Sequence, residues 1–139
     1  MKTLLWIIFA LLCVLFCPTA AAVQEVCASE LDTIVKAAIR NKCTGKENFR
    51  ILMAIRLQEN GGPGMEFGIK GHPDANDLDS QAGWAAATIV KTRQRWLQDG
   101  RPCDFIQYLG CRYCPPSDDP EGHKNWVKNV KILSKAKGS

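Results

Sequence analysis

An apolar helical pattern is interrupted at residues 61–64, which consist of Gly, Gly, Pro and Gly. Glycine and proline are the residues least compatible with a helix interior, so four in succession end the helix before them. That helix is predicted to run from about Glu47 to Gln58. The next residue, Glu59, lies at the negative end of the helix macrodipole, where a charged acid is unfavourable. The chain therefore holds a carboxylate in an awkward position just before the backbone turns away.

Four other segments carry apolar residues at helical spacing, and no segment has a convincing strand pattern. These predicted helices cover residues 29–42, about 79–98, 104–109 and about 123–133. Ser29 and Asp32 resemble a capping box at the first of them. The residues expected to face the core are Leu31, Ile34, Val35, Ala38, Ile39, Phe49, Leu52, Met53, Leu57, Ala82, Ala86, Ile89, Val90, Arg93, Leu97, Trp126, Val127, Val130 and Leu133. With an irregular stretch at 65–78, the pattern predicts one all-α domain.

The N-terminus has the three parts of a secretory signal peptide, which we place at residues 1–22. Lys2 supplies positive charge, residues 4–17 are apolar, and the three alanines that end the segment form a cleavage site. The apolar run is short for a membrane anchor, and the large phenylalanine before Cys17 argues against lipid attachment. We therefore expect a mature domain at residues 23–139 that is secreted or periplasmic and has no membrane partner after cleavage.

The overall charge bounds the kind of partner. Lys2 is the only charged residue of the leader, so its removal lowers the formal net charge from +4 to +3. A small excess suits an anionic polymer such as a cell wall, and it suits an ordinary solvated surface equally well. It is too small to indicate a nucleic acid partner. The length fits one domain, which we expect to be monomeric.

Five cysteines follow the leader: Cys27, Cys43, Cys103, Cys111 and Cys114. In an oxidising compartment they are disulfide candidates, with one left unpaired. Cys27 and Cys43 flank the first predicted helix, whose ends lie on the order of 20 Å apart, so these two should not pair with each other. We expect at least one of them to reach the region of the other three.

The signals for a metal or cofactor are weak. Cys111 and Cys114 form a CxxC, but no second pair of ligands accompanies it, and His72 and His123 are isolated. The Gly-rich loop follows a helix and lacks the Lys-Ser/Thr of a P-loop, so it predicts no nucleotide site. We expect no metal and no organic cofactor.

Glu59 has two interpretations from the residues alone. Most glutamates at helix ends are surface residues. Alternatively, a general acid that works near neutral pH needs a carboxyl that keeps its proton, and burial and a nearby negative potential both favour that form. Glu59 would experience both if the domain packs over it, and the loop that follows would leave it facing a cleft.

Three segments carry a resemblance to a known family. Residues 57–69, LQENGGPGMEFGI, resemble the catalytic segment of the lysozyme-like lytic transglycosylases. Small phage and bacterial lysozyme-like proteins have a closer pattern, ENGxPGxEFG, then DF-aromatic-LGxRYxP, then NDPxGxNxNWxxNV. This chain has DFIQYLGCRYCP at 104–115 and DDPEGHKNWVKNV at 118–130, in the same order and at compatible spacing. The resemblance covers most of residues 47–130 and implies a lysozyme-like fold with a groove.

The resemblance also implies an activity and its residues. The chain would cleave the MurNAc-GlcNAc β-1,4 bond of peptidoglycan glycan strands, with Glu59 as single general acid/base and 1,6-anhydroMurNAc as product. Asn60 would lie beside the acid and hydrogen-bond either the acid or the substrate, and backbone groups of Gly68 and Ile69 would meet the sugar. Tyr113 would stand opposite the acid. The remaining candidate for substrate binding, in the last helix, is Trp126, which equally suits a role in packing.

Two alternatives stay open. A hydrolytic muramidase would use a second carboxylate, for which the candidates are Glu66, Asp74, Asp77 and Asp79. The three aspartates suit turns equally well, and Asp79 suits a helix cap. The other alternative is a non-catalytic secreted wall-binding or effector protein on the same scaffold.

Overall fold

The computed structural model describes residues 26–136, so the predicted leader and its cleavage site lie outside the described residues. Within that range the chain forms five helices and no strand, which confirms the all-α prediction. The helices are α1 (Ala28–Arg40), α2 (Lys46–Glu59), α3 (Leu78–Gln98), α4 (Phe105–Tyr113) and α5 (Pro120–Lys135). None of these described helices is both long and apolar enough to cross a membrane.

Two helix pairs build the core, α1 against α3 and α2 against α5. Helix α4 packs on α3 and α5, and α2 also contacts α3, so both pairs share one interior. Burial of an aliphatic or aromatic side chain contributes roughly 1.5–3 kcal/mol, so this shared interior holds the short helices together. Its largest apolar side chains are Phe67, Ile34, Ile51, Leu52, Ile55, Ile89, Leu109 and Val130.

Two arginines fix α2 relative to its neighbours. Arg56 of α2 is almost fully buried, and its Nη2 donates to Glu30 Oε1 of α1 at 3.0 Å. Arg93 of α3 donates from Nε to Asn48 Oδ1 of α2 at 2.7 Å, and its guanidinium carbon lies 3.7 Å from the ring centre of Phe105. Buried and stacked arginines are hard to displace without leaving a charge unpaired. These contacts therefore help to fix the orientation of α2 and the position of its last residue, Glu59.

The helix starts differ from the predicted ones. Helix α1 begins one residue before Ser29, and the predicted capping box is wrong, because the residue at the N-cap is Cys27 and makes no side-chain cap. Helix α5 begins three residues earlier than expected. The Asp119 side chain accepts from the Gly122 N–H at 2.8 Å, and Pro120 occupies the first turn, where its missing N–H costs nothing.

The cap of α3 is Asp77, so the prediction that Asp79 is the cap is wrong. Asp77 Oδ1 accepts from the Ser80 N–H at 2.8 Å, while Ser80 Oγ accepts from the Asp77 N–H. The hydrogen bond with the Ser80 side chain is the main cause that holds the pKa of the Asp77 carboxyl below its usual range, and the bond from the Ser80 N–H adds to it. Asp79 instead accepts from Arg40 Nη2 of α1 at 2.9 Å.

Helix α4 continues to Tyr113, four residues beyond the predicted end at Leu109. The reason is packing. A Cβ at Gly110 would come within 2.8 Å of Val127 Cγ2, so the bare glycine lets α4 lie close against α5. As a result, Cys111 lies inside the helix and Tyr113 is its last residue.

Helical periodicity predicts burial well at helix centres and poorly at their flanks. Leu31, Ile39 and Leu97, all expected in the core, are exposed by 40, 61 and 48%. Each lies toward one end of its helix, where the neighbouring helix no longer covers it. The opposite error occurs at Gln81, which is completely buried in α3 although it is polar.

The five cysteines are free thiols in the structure, so the expected bridge from Cys27 or Cys43 to the later cysteines is not formed. Cys43 is enclosed in the core, and burial raises the pKa of its thiol to about 11, whereas Cys27 is exposed. Cys103 and Cys114 lie at opposite ends of α4, roughly 13 Å apart along the helix axis. A disulfide needs Cα atoms within about 7 Å, so these two cannot pair.

Gln81 holds the irregular segment between α2 and α3. Its Oε1 accepts from the backbone N–H groups of Phe67 and Ile69 at 3.2 and 3.1 Å. Its Nε2 donates to the backbone carbonyls of Ile69 and Ala75 at 2.9 and 2.7 Å. One buried side chain thus satisfies four backbone groups of a segment that has no regular secondary structure.

Replacement of Gln81 by Met tests this role. Met fills a similar volume but leaves four backbone groups without partners, and each unsatisfied buried group costs about 1–3 kcal/mol. We expect Gln81→Met to lower the free energy of unfolding by at least about 3 kcal/mol in urea denaturation. The matched control, Gln94→Met on the exposed side of the same helix, should change it by less than about 0.5 kcal/mol. Equal effects in both variants would contradict the account.

Candidate functional site

Glu59 is the last residue of α2, and the structure joins it to the far end of the sequence. Trp126 of α5 donates from Nε1 to Glu59 Oε1 at 2.8 Å, across 67 residues. The indole is only 5% exposed and belongs to the core. Trp126 therefore packs α5 and also bonds one carboxylate oxygen, so the packing role is confirmed while the substrate-binding role stays a prediction.

Gly68 approaches the same carboxylate from the other side. Its φ is +68°, in the left-handed region, and a Cβ there would lie 2.7 Å from Glu59 Cδ. Only glycine leaves the space that the carboxylate occupies. The loop thus approaches Glu59 through the backbone of Gly68 rather than through a side chain.

Asn60 supplies the turn rather than a contact to the acid. Its φ and ψ are 44° and 34°, so it ends α2 in the left-handed conformation that asparagine tolerates. Its backbone N–H donates to Arg56 O. The side chain is exposed, and it makes no hydrogen bond to Glu59 or to any other described residue. The expected hydrogen bond to the acid is therefore not formed.

Tyr113, expected opposite the acid, stacks on Trp126 with ring centres 5.1 Å apart and planes 17° from parallel. Its hydroxyl is buried and has no hydrogen-bond partner among the described residues. Burial raises the pKa of this phenol far above its usual range, and the negative charge of Glu59 adds to the shift. An orphan hydroxyl beside the acid is unusual, because buried polar groups are nearly always paired.

A cleft of about 350 Å³ opens beside the acid. One wall is the loop after α2, the second is one face of α3, and the third is the end of α4, where Tyr113 lies. Gly68 and Tyr113, the two residues that flank Glu59, both line it. Its other lining residues are Ile69, Lys70, His72, Trp84, Ala87, Thr88, Lys91, Thr92, Arg95 and Arg112.

The backbone of the loop is less available to a ligand than the sequence suggests. The Gly68 N–H donates to Met65 O at 3.0 Å, and the Ile69 N–H and carbonyl are both bonded to Gln81. Both N–H groups thus already have partners, and the prediction that backbone groups of Gly68 and Ile69 meet the sugar stays a prediction. Their part is to shape the wall of the cleft.

The rival carboxylates separate into two groups. Asp77 and Asp79 serve as a helix cap and an ion-pair partner, as described above. Asp74 is exposed in the turn closed by the bond from Ala75 N–H to His72 O. Glu66 is buried, with Oε1 accepting from the Gly64 N–H at 3.0 Å and Oε2 lacking a partner among the described residues. Asp74 and Glu66 are thus the acids left without a complete structural role.

Neither the comparisons with known proteins nor the arrangement of metal-ligating side chains adds to the description of the site. Comparisons with protein-family models, with curated proteins and with solved structures found no match. Within residues 26–136, no group of three or more His, Cys, Asp or Glu side chains is arranged to hold a metal ion.

Sequence reasoning missed Gln81 and the charged residues of the cleft. Trp84, Thr88, Lys91 and Arg95 recur at spacings of three and four, which places them on one face of α3. That spacing is visible in the sequence. It passes unnoticed because it lies on the polar side of an amphipathic helix, which usually faces only water.

Replacement of Tyr113 by Phe tests the orphan hydroxyl. A phenol whose pKa is raised by folding holds its proton more tightly in the native state, so stability is complete below the unfolded value near pH 10 and falls above it. We expect Tyr113→Phe to leave the free energy of unfolding within about 1 kcal/mol at pH 7 and to flatten its fall above pH 10. The measurement is urea denaturation from pH 7 to 11. A large loss at pH 7 would show that the hydroxyl has a partner.

Proposed function

We propose that this chain is a lysozyme-like lytic transglycosylase that cleaves the MurNAc-GlcNAc bond of peptidoglycan outside the cytoplasm. The observation that carries the proposal is the carboxylate of Glu59, bonded to Trp126 and adjacent to Gly68, which lines the cleft. The family pattern around Glu59, in three ordered segments, supplies the substrate class. The all-helical architecture is compatible with a lysozyme-like fold and groove.

The hydrogen bonds assign roles to the two oxygens of Glu59. Oε1 accepts from the Trp126 indole, so the proton of the acid form belongs on Oε2. Oε2 lies on the Gly68 side, where the two flanking residues open into the cleft. The bond to Trp126 restricts the orientation of the carboxyl group and leaves Oε2 to carry the proton, which is the fixed positioning that general acid catalysis needs.

A single carboxyl group is sufficient for the reaction. Glu59 donates its proton to the glycosidic oxygen as the bond to MurNAc breaks, and the N-acetyl carbonyl of the substrate supports the positive anomeric carbon. Glu59, now a carboxylate, removes the proton of the 6-hydroxyl. That oxygen closes the 1,6-anhydro ring and Glu59 recovers its proton, so no water is consumed.

A hydrolytic muramidase is the second candidate within the same substrate class. It would need another carboxylate, at about 5–5.5 Å for retention or about 6.5–9.5 Å for inversion. Asp74 and Glu66 are the acids that the structure leaves free for this role. The transglycosylase is preferred because the contacts of Trp126 and Gly68 position a single carboxyl group, that of Glu59. No hydrogen bond of Asp74 or Glu66 connects either of them to Glu59.

Glu59→Gln tests the proposal. The amide keeps the shape and the acceptor for Trp126 but cannot donate a carboxyl proton. General acid–base catalysis contributes roughly 10²–10⁴ in rate, and one group acting in both steps should lie at the upper end. We expect turbidity loss of purified cell walls to fall by about 10⁴ or to background, with the circular dichroism spectrum unchanged.

The matched control is Glu121→Gln, an exposed glutamate in the first turn of α5, which should retain wild-type activity. Asp74→Asn and Glu66→Gln should be milder than Glu59→Gln. Full wall lysis by Glu59→Gln would overturn the assignment, and a dead Asp74→Asn or Glu66→Gln that still folds would favour the muramidase.

A further inference from the structure

We propose that the cleft beside Glu59 binds the carboxylates of the stem peptide attached to MurNAc, so that the enzyme prefers peptide-bearing over bare glycan strands. This inference rests on the proposed function and specifies its substrate. The supporting observation is a set of positive side chains in the cleft that have no role in the proton transfers of Glu59.

Four cations line the cleft: Lys70, Lys91, Arg95 and Arg112. All four are exposed, and none is within 4.0 Å of a described carboxylate. Being unpaired is not peculiar to these four, since Lys128 and Lys135 of α5 also form no ion pair, but the four are the ones that the cleft brings together. No acidic side chain lines the cleft. The four cations therefore create a positive potential that has no acidic partner among the residues lining the cleft.

The cleft also has an aromatic end. The rings of His72 and Trp84 lie 3.8 Å apart at their centres, and both line it. From Trp84 to Arg95 the α3 face extends roughly 16 Å. A ligand that complements this wall carries several negative groups spaced along its length, and it also has a part that can pack against the aromatic rings. A short acidic peptide on a sugar has both properties.

The orphan hydroxyl of Tyr113 connects this wall to the acid. It is buried and lacks a partner within residues 26–136, and its residue lines the cleft next to Arg112. A polar ligand group that enters from the cleft would supply the missing hydrogen bond. The muramyl residue would then lie at the Tyr113 end, near Glu59, and its lactyl-linked peptide would extend along α3 past Arg95 and Lys91.

The same cations could hold wall phosphates, so the experiment separates the two anions. Peptidoglycan is purified free of phosphate polymers, and half of it is stripped of stem peptides with an amidase. Soluble strands from both preparations are then compared as substrates by kcat/KM. We expect the wild-type protein to prefer peptide-bearing strands, and this preference to shrink as salt is added, because exposed charges are screened.

The double variant Lys91→Gln/Arg95→Gln removes two charges from the α3 wall while keeping helix-compatible residues. Charged hydrogen bonds are worth roughly tenfold or more each, and exposure reduces this. We expect the preference ratio to fall roughly tenfold, mainly through KM. The control Lys128→Gln/Lys135→Gln removes the same charge from exposed positions on α5, outside the cleft, and should keep the wild-type ratio.

Equal kcat/KM on both strand types, or an unchanged ratio in Lys91→Gln/Arg95→Gln, would overturn the inference while leaving Glu59 as the acid. A preference that appears only when wall phosphates are present would overturn it in favour of a phosphate ligand. If the wild type cleaves neither strand, the proposed function fails. Binding of a soluble muropeptide, followed by Trp fluorescence in wild type and in the double variant, then decides the inference alone.

Discussion

The hydrogen bond from the Trp126 indole to Glu59 is the interaction on which the site depends. It joins the last residue of α2 to the second turn of α5, and these two helices form one of the two pairs that build the core. The acid is therefore positioned by the same packing that stabilises the fold. A carboxylate at a helix C-terminus is unfavourable in isolation, and an indole N–H is a donor that offsets part of this cost.

The loop after α2 depends on a second buried polar contact. Four backbone groups between Phe67 and Ala75 are bonded to Gln81, which places Gly68 against the carboxylate and leaves the cleft on the outer side. A loop without regular structure is usually mobile. Here one amide from α3 ties the loop to that helix and so fixes one wall of the cleft.

The sequence was sufficient for the helices and for the position of the acid, because both follow from local rules. Residues 61–64 end α2 through their own conformational preferences, so the place of Glu59 at the helix end does not depend on tertiary contacts. The signal for the start of α5 was also present, as Asp119 followed by Pro120, but it resembled a loop. The predicted end of α4 at Leu109 was too early, because Gly110 continues the helix and allows close approach between α4 and α5.

Long-range contacts could not be predicted in the same way. No local pattern reveals that Trp126 donates to a residue 67 positions earlier, or that a glutamine on an apolar helix face satisfies a distant loop. The left-handed turn at Asn60 and the free thiols likewise depend on packing. Periodicity identifies the faces of a helix, whereas the partner of each face is a property of the whole fold.

Mass analysis of the products from purified peptidoglycan tests the central claim most directly. If Glu59 acts alone on both steps, the muropeptides released by the wild-type protein end in 1,6-anhydroMurNAc and are lighter by one water than hydrolysed products. Products that carry the added water at a reducing end would contradict the single-acid account, because a water molecule would then have completed the reaction.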